Sequence, residues 1–266
     1  MGVSLEHDYE INEHLSLHRT KIDAPYFEME ECAETQEQYG LLISLAPHVT
    51  FELRASAETT EDALVRSWNG QWFLMLMSIV IDHPIHFPVQ SSHSGADIRL
   101  AKTHIENVYF GQTVFAPPKM VSSDEVTRVT ELYGTFSSML GVKRFTHACV
   151  VACNSHREPN RSVRIAAIWS GIEALMGFDY ELRFRLALSI AQVLESDGIA
   201  RRQRFLAVRA LYDQRSKCVH GAGLAEDALA QCLSDSRALL NELILFFAAR
   251  GSLMGPDEWT QLSLGG

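Results

Sequence analysis

Arg215 and His220, separated by four residues, are of types that can cleave RNA together. A histidine, whose pKa lies near neutrality, can take the proton of a ribose 2′-hydroxyl or protonate a leaving 5′-oxygen. An arginine can hold the scissile phosphate through two donors and offset charge in the transition state. The pair therefore predicts cleavage by the neighbouring 2′-hydroxyl, without a metal or an enzyme nucleophile, to give a 2′,3′-cyclic phosphate.

The segment 207–223 predicts the helix that carries this pair. At about 100° per residue, Arg215 falls at the centre of an apolar stripe, and His220 lies about 140° away. A guanidinium in such a stripe must be paired or line a wet interface, because burying an unpaired charge is expensive. A second interpretation is therefore a buried ion pair between Arg215 and Glu173 or Asp213, with His220 capping the helix end. The stripe consists of Val208, Leu211, Tyr212, Cys218 and Val219.

The charge distribution leaves a positive segment available for RNA. The chain has a net charge of −10, but residues 1–60 alone hold three basic and twelve acidic residues, a net of −9. Residues 157–220 hold eleven basic and seven acidic residues, a net of +4. We predict that Arg209, Lys217 and Arg204 guide RNA through phosphate contacts. A solvated helix face would account equally well for Arg204 and for the preceding Arg201 and Arg202.

Three stretches resemble the Apea-like branch of the HEPN superfamily: NRSVRIAAIWSGIEALMG (160–177), RFRLALSIAQVLE (183–195) and LYDQRSKCVHGAG (211–223). Members of that branch carry an R-x(4–6)-H motif at the end of a bundle helix, and Arg215 and His220 match it. The resemblance implies a metal-independent endoribonuclease that acts as a homodimer with a composite active site. It also implies that the setting is phage defence or toxin-like growth arrest. The sequence has no phosphate-binding glycine loop, GxSxG or GxGxxG motif, so we expect no cofactor. A protein regulator is a further expected partner.

The same resemblance implies supporting roles for Ser216, Glu173, Tyr212 and Asp213. Ser216 departs from the Asn, Asp or His that often follows the motif arginine, although a hydroxyl can still orient a phosphate. Glu173 could orient Arg215 or His220, and a simple buried salt bridge is equally consistent with the sequence.

The elements that must position these residues predict an α+β fold. We expect a small mixed α/β N-terminal region over 1–118, an all-α, HEPN-like helical bundle over 119–250 and a C-terminal tail over 251–266. The run Ser122-Ser123-Asp124-Glu125 predicts a helix start. Further helices are predicted at 145–155, 160–177, 181–196, 200–220 and 226–250 from apolar periodicity.

The N-terminal region has weaker signals. We predict a helix from Thr59 or Thr60 to Ile81, interrupted or bent near Asn69 and Gly70. Short strands are predicted at 41–45, 49–53, 86–89 and 108–110.

Composition and cysteine usage exclude several classes of protein. With 47% hydrophobic and 21% charged residues and no apolar run of about 20, the chain is globular, and we expect no membrane partner. Five cysteines without a CxxC pair, and no signal peptide, predict a cytoplasmic protein with free thiols.

Four residues within 147–156 are of types that bind zinc, but they do not form a convincing site. On a helix, Cys149, Cys153 and His156 share one face, whereas His147 points the other way, and a structural zinc site needs four converging ligands. We therefore predict no metal. A rival to the nuclease hypothesis is a non-catalytic binding module that docks a protein or RNA partner through the helical bundle.

Overall fold

The chain has an α+β fold. The computed structural model describes residues 1–100, 102–105, 118–219 and 224–263. They form two compact units, Met1–Glu131 and Leu132–Gly266, which divide within helix α4 (Ser123–Ser138). This division lies after the 118/119 boundary that we expected from the sequence. Among the helices described, none combines the length and the apolarity needed to cross a membrane.

Short strands make up the sheets of the first unit. An antiparallel sheet has the order β2 (Tyr9–Glu10), β3 (Leu15–Arg19) and β4 (Phe51–Ala55). In β3, Leu15 and Leu17 are buried and alternate with more exposed residues, as expected for a strand with one face on a core. Two further strand pairs are β1 (Val3–Leu5) with β7 (Lys119–Val121), parallel, and β5 (Val89–Ser91) with β6 (Thr103–Ile105), antiparallel.

Helix α3 (Thr60–Val80) confirms the predicted helix of the N-terminal region. Thr59 caps it, since its hydroxyl accepts a hydrogen bond from the Asp62 amide at 3.1 Å. The helix continues through Asn69 and Gly70, so the predicted interruption is absent. A Cβ at Gly70 would lie 2.6 Å from the Leu53 Cδ2 atom, so this glycine lets α3 approach β4 closely.

The prediction of a strand at 41–45 is wrong. These residues belong to helix α2 (Gln36–Leu45), which follows α1 (Tyr26–Glu30). Thr35 caps α2 by accepting from the Gln38 amide at 3.2 Å, and Leu42 and Leu45 are buried. A short apolar run does not distinguish a strand from a buried helix, which explains the error.

The other strand predictions for this unit had mixed outcomes. The strand predicted at 49–53 overlaps β4, and the one predicted at 86–89 meets β5 only at Val89. The strand predicted at 108–110 lies outside the described residues.

The second unit confirms the helices predicted from periodicity. Helix α4, whose first half belongs to the first unit, begins with a capping box, in which Glu125 and Ser122 bond reciprocally to each other's backbone amides. Helix α6 packs against α5, α8 and α9, and its Ile165, Ile168, Trp169 and Ile172 are fully buried. The helices are α5 (Lys143–Asn154), α6 (Arg161–Met176), α7 (Leu182–Leu194), α8 (Gly198–Val219), α9 (Glu226–Arg250) and α10 (Pro256–Ser263).

Helix α10 lies in the segment 251–266, for which the sequence predicted only a C-terminal tail. Its Trp259 is buried, with its ring centroid 5.3 Å from that of Phe178, and α10 packs against α7. The burial of one large aromatic side chain explains why this short segment is ordered against the bundle.

Candidate functional site

Helix α8 places Arg215 against Glu173 of α6. The Arg215 Nη2 atom donates to the Glu173 Oε1 atom at 3.2 Å, and the two side chains are 20% and 24% exposed. The Arg215 Nε atom is buried and has no hydrogen-bond partner among the described residues. The ion pair that we considered as the second interpretation is thus present, but it engages only part of the guanidinium.

Two aromatic rings form a wall beside Arg215. The Arg215 Cζ atom lies 5.5 Å from the centroid of the Tyr212 ring, within cation–π range. The Tyr212 ring meets the Trp169 ring edge-on, with centroids 5.2 Å apart. Trp169 is fixed in turn, because its Nε1 atom donates to the Ser236 Oγ atom at 3.0 Å in the buried core. The wall thus links α8 through α6 to α9.

Burial raises the pKa of Glu173 above its usual 4.5, although the charge of Arg215 acts in the opposite direction. Desolvation therefore destabilises the charged carboxylate more than the attraction to Arg215 stabilises it. Such a pair contributes little net stability, since desolvation commonly offsets the Coulombic attraction of buried ions. An anionic ligand could replace Glu173 at Arg215 without losing a strongly favourable contact.

The partner of Asp213 is an arginine of α7 rather than Arg215. It accepts two hydrogen bonds from Arg183 of α7, each 2.6 Å long, in a bidentate pair. The hydrogen bond from Arg183 lowers the pKa of Asp213, and the charges of Arg183, Arg209 and Lys217 lower it further. Asp213 therefore ties α8 to α7.

The three predicted RNA contacts have unequal surroundings. Arg204 is paired with Glu195 and Glu242, at 2.8 and 3.1 Å. Arg209 lies over the Phe205 ring, at 5.3 Å from its centroid, and Lys217 is exposed. All three RNA contacts stay predictions, and Arg204 differs from Arg209 and Lys217 in the two ion pairs that it forms.

Ser216 follows Arg215 and is half-buried. His220 lies outside the described residues, so its predicted role stays a prediction from the sequence. The stripe that contains Arg215 packs on α6 of the same chain, which accounts for an arginine in that stripe without a second subunit. The homodimer also stays a prediction.

Sequence reasoning missed the residues that support Arg215 and Asp213 from other helices. The periodicity of α6 indicated that Trp169 is buried, but no short spacing connects it to Ser236, which lies far along the chain. Arg183 was missed for the same reason, because its partner Asp213 lies on the next helix. These contacts arise from tertiary packing and leave no local sequence signal.

Three of the four residues of zinc-binding type have surroundings unlike those of metal ligands. Cys149 and Cys153 are buried, and burial raises the pKa of Cys153 to about 12. His147 is within hydrogen-bond distance of Ser170, 3.1 Å between Nε2 and Oγ. In the described ranges no three His, Cys, Asp or Glu side chains converge as metal ligands would.

No protein-family model, curated protein or solved structure matches the chain.

Proposed function

We propose that the helical unit is a metal-independent endoribonuclease of the HEPN type, with Arg215 as phosphate clamp and His220 as acid–base. The observation that carries the proposal is the state of the Arg215 guanidinium. Its Nε donor is buried without a partner among the described residues, and its one carboxylate partner has a raised pKa. An unsatisfied buried donor costs roughly 1–3 kcal/mol. A phosphate oxygen that accepts a hydrogen bond from this Nε atom would remove that cost.

The reaction needs only the RNA and these two side chains. His220 removes the proton of the 2′-hydroxyl, and the 2′-oxygen attacks the adjacent phosphorus. The bond from phosphorus to the 5′-oxygen breaks, and the protonated His220 returns a proton to the departing 5′-oxygen. Arg215 stabilises the additional charge on the phosphate oxygens through two donors. The products are a 2′,3′-cyclic phosphate and a 5′-hydroxyl end.

Four neighbouring residues support the clamp. Glu173 holds Arg215 in place when no RNA is bound, and the Tyr212 ring limits where the guanidinium can move. Asp213 keeps α8 against α7 through Arg183. Ser216, next to Arg215, supplies a hydroxyl for the phosphate. We further propose that two copies contribute to one cleft, and that the cleavage serves phage defence or growth arrest.

The rival function is a non-catalytic module that docks RNA or protein. The observation that favours it is the ion pair itself, because an arginine paired with a carboxylate also satisfies a purely structural role. The two functions differ in whether Arg215 and His220 are needed for a chemical step.

The deciding experiment incubates end-labelled RNA with the full chain in excess EDTA. The variants are Arg215→Ala and His220→Ala, with Arg128→Ala as the control, since Arg128 is exposed on α4. We expect the wild type and the control to produce 2′,3′-cyclic phosphate ends, identified by mass spectrometry, and the two variants to produce them at least about 10²-fold more slowly. Cleavage by His220→Ala at the wild-type rate would refute the mechanism. Binding of RNA without cleavage by any protein would favour the docking module.

A separate measurement tests the composite cleft. Sedimentation of the wild type at micromolar concentration is expected to show a dimer. A monomer that cleaves RNA would overturn the two-copy cleft and leave the chemistry of Arg215 intact.

A further inference from the structure

An open groove runs between α7 and α8, away from the Arg215–Glu173 pair. Its volume is about 270 Å³. A cavity of about 150 Å³ already takes up benzene, whereas pockets for drug-sized ligands begin near about 300 Å³. The groove is therefore the right size for one flat ring system. It is lined by Phe184, Leu188, Ala191, Gln192, Arg201, Arg202 and Phe205.

Two aromatic rings make the groove suitable for a planar ligand. Phe184 and Phe205 meet edge-on, with centroids 5.8 Å apart and an angle of 78° between the ring planes. Phe184 is 54% exposed, although a phenylalanine gains most from burial. A ring stacked on Phe184 would cover this surface, and stacking on an aromatic side chain is a general way to bind a nucleobase.

The charges at the groove favour an anion. Arg201 and Arg202 are both exposed, and none of the seven described lining residues is acidic. Two carboxylates of the segment that joins α7 to α8 have other partners. Glu195 pairs with Arg204, and Asp197 accepts from the backbone amides of Ile199 and Ala200 at the start of α8.

Gln192 adds a polar group that could read a base. Its Nε2 atom donates to the Leu262 carbonyl oxygen at 3.0 Å, which fixes the orientation of the amide. Its Oε1 atom is buried and has no partner among the described residues. A buried acceptor of this kind is satisfied by a donor such as the amino group of a base.

We propose that this groove binds one nucleotide of single-stranded RNA. The base stacks on Phe184 beside Phe205, an amino group of the base donates to Gln192, and Arg201 and Arg202 contact the phosphates. Adenine, cytosine and guanine carry such an amino group, and uracil does not, so a uridine strand binds more weakly. The choice of RNA rests on the proposed nuclease function.

Helix α8 carries both the groove and Arg215. Phe205 and Arg215 are ten residues apart, which corresponds to about 15 Å along a helix. Arg209 lies between them, over the Phe205 ring. Seven residues advance a helix by nearly two turns, so Arg202 and Arg209 lie within about 20° of one direction. The two arginines thus line one side of α8 from the groove towards the Arg215 end.

The test measures binding without cleavage. Short fluorescent oligonucleotides with 2′-O-methyl riboses, which cannot perform the attack, are titrated with the full chain in EDTA and followed by anisotropy. The groove variants are Phe184→Leu, Phe205→Leu, Arg202→Gln and Gln192→Leu. Leu206→Ala is the control on α8, because Leu206 is exposed and does not line the groove. Arg128→Gln is the control for lost charge.

We expect Phe184→Leu and Phe205→Leu to weaken binding of oligoadenylate at least about fivefold, at the lower end of what one stacked base contributes. Arg202→Gln should reduce the salt dependence by about 0.7 in slope between about 50 and 200 mM salt. Gln192→Leu should remove the preference for adenine over uracil. The controls should bind as the wild type does.

Several results would overturn the groove. The proposal fails if both phenylalanine variants bind with wild-type affinity, or if an abasic oligonucleotide binds as tightly as oligoadenylate. It also fails if oligoglutamate displaces the labelled RNA as well as unlabelled RNA does, or if the wild type binds no strand. If Phe205→Leu does not fold, as judged by circular dichroism, Phe184→Leu decides the question, because its ring lies at the surface. Binding by this groove in a protein that never cleaves RNA would refute the nuclease alone. Cleavage with unaffected binding in the groove variants would refute the groove alone.

Discussion

The two ends of helix α8 hold their arginines in different ways. Towards its beginning, Arg204 contacts two carboxylates, with Glu195 at 2.8 Å and Glu242 at 3.1 Å. Towards its end, Arg215 contacts one carboxylate at 3.2 Å and buries an Nε atom that has no partner in the described part of the chain. Arg204 thus pairs with two carboxylates, whereas Arg215 pairs with one.

This difference separates a structural arginine from one with capacity left for a ligand. Glu195 follows α7 and Glu242 lies on α9, so Arg204 ties both regions to α8. Arg215 is held by Glu173 and by the Tyr212 ring, and burial has already weakened the acidity of that carboxylate. Anion binding is favourable where protein donors are incompletely satisfied, and that condition is met at the Arg215 end.

The largest expected effect comes from removing each arginine in turn. Loss of a donor that stabilises transition-state charge typically lowers the rate by about 10²–10³-fold, and we expect that loss in Arg215→Ala. We expect Arg204→Ala to lower the rate less than tenfold (about 1.4 kcal/mol) and to act mainly on stability. The measurement is the cleavage rate of labelled RNA in EDTA. If Arg204→Ala loses as much activity as Arg215→Ala, the two ends of α8 do not differ as argued.

The next effect concerns the aromatic wall beside Arg215. In Ser236→Ala the Trp169 Nε1 atom loses its acceptor at a fully buried position. An unsatisfied buried donor costs about 1–3 kcal/mol, so we expect the unfolding free energy in urea to fall by that amount. Ser138→Ala is the control, because Ser138 is an exposed serine whose hydroxyl donates to the Thr135 carbonyl oxygen. An unchanged midpoint in Ser236→Ala would mean that the wall does not depend on this bond.

The helical unit could be predicted from the sequence because its signals are local. Residues such as Ile165, Trp169 and Ile172 recur at helical spacing, and their burial is confirmed. The strand predicted at 41–45 failed because the run from Leu41 to Leu45 has no period long enough to distinguish helix from strand. In that case the Thr35 cap, and not the apolar residues, carried the useful signal.

The candidate site was only partly predictable for a related reason. The pairing of Arg215 with Glu173 was one of two options that the stripe allowed, and the structure contains it. The other option for Arg215, Asp213, pairs instead with Arg183, which no spacing in the sequence indicated. Helical periodicity specifies which face a side chain occupies, but the choice among partners on neighbouring helices depends on packing.

A smaller effect follows from the raised pKa of Glu173. The folded state binds this proton more tightly than the unfolded state, whose pKa is near 4.5. The contribution of Glu173 to stability is therefore fully present below pH 4.5 and is lost as the pH rises through the folded pKa. In Glu173→Gln this dependence is absent, so the unfolding free energy of the wild type should fall relative to the variant as the pH rises from 4 to 7.

The measurement is urea denaturation of both proteins across that pH range. The slope of the difference decides the result, since loss of the partner of Arg215 adds a constant offset. A wild type that gains stability over Glu173→Gln with rising pH would show that the attraction to Arg215 outweighs burial. Glu173 would then be a firm counter-ion, and the contrast with Arg204 would disappear.

The smallest effect is expected at the surface pair that ties α8 to α7. The hydrogen bond from Arg183 lowers the pKa of Asp213, so this carboxylate stabilises the fold above its unfolded value of 3.8 and loses that effect as the pH falls through its folded pKa. Both side chains are nearly half exposed, which limits the contribution of the pair. Asp213→Asn should lower the melting temperature slightly at pH 7 and not at all near pH 2.

Asp235→Asn is the matched control, because it removes an exposed carboxylate of α9 whose hydrogen-bond partner is the neutral Gln231. A large loss of cleavage in Asp213→Asn with little change in melting temperature would assign Asp213 to the chemistry. In that case the whole end of α8, and not Arg215 alone, would differ from the end that holds Arg204. A small change in both measurements would instead limit Asp213 to holding the helix in place.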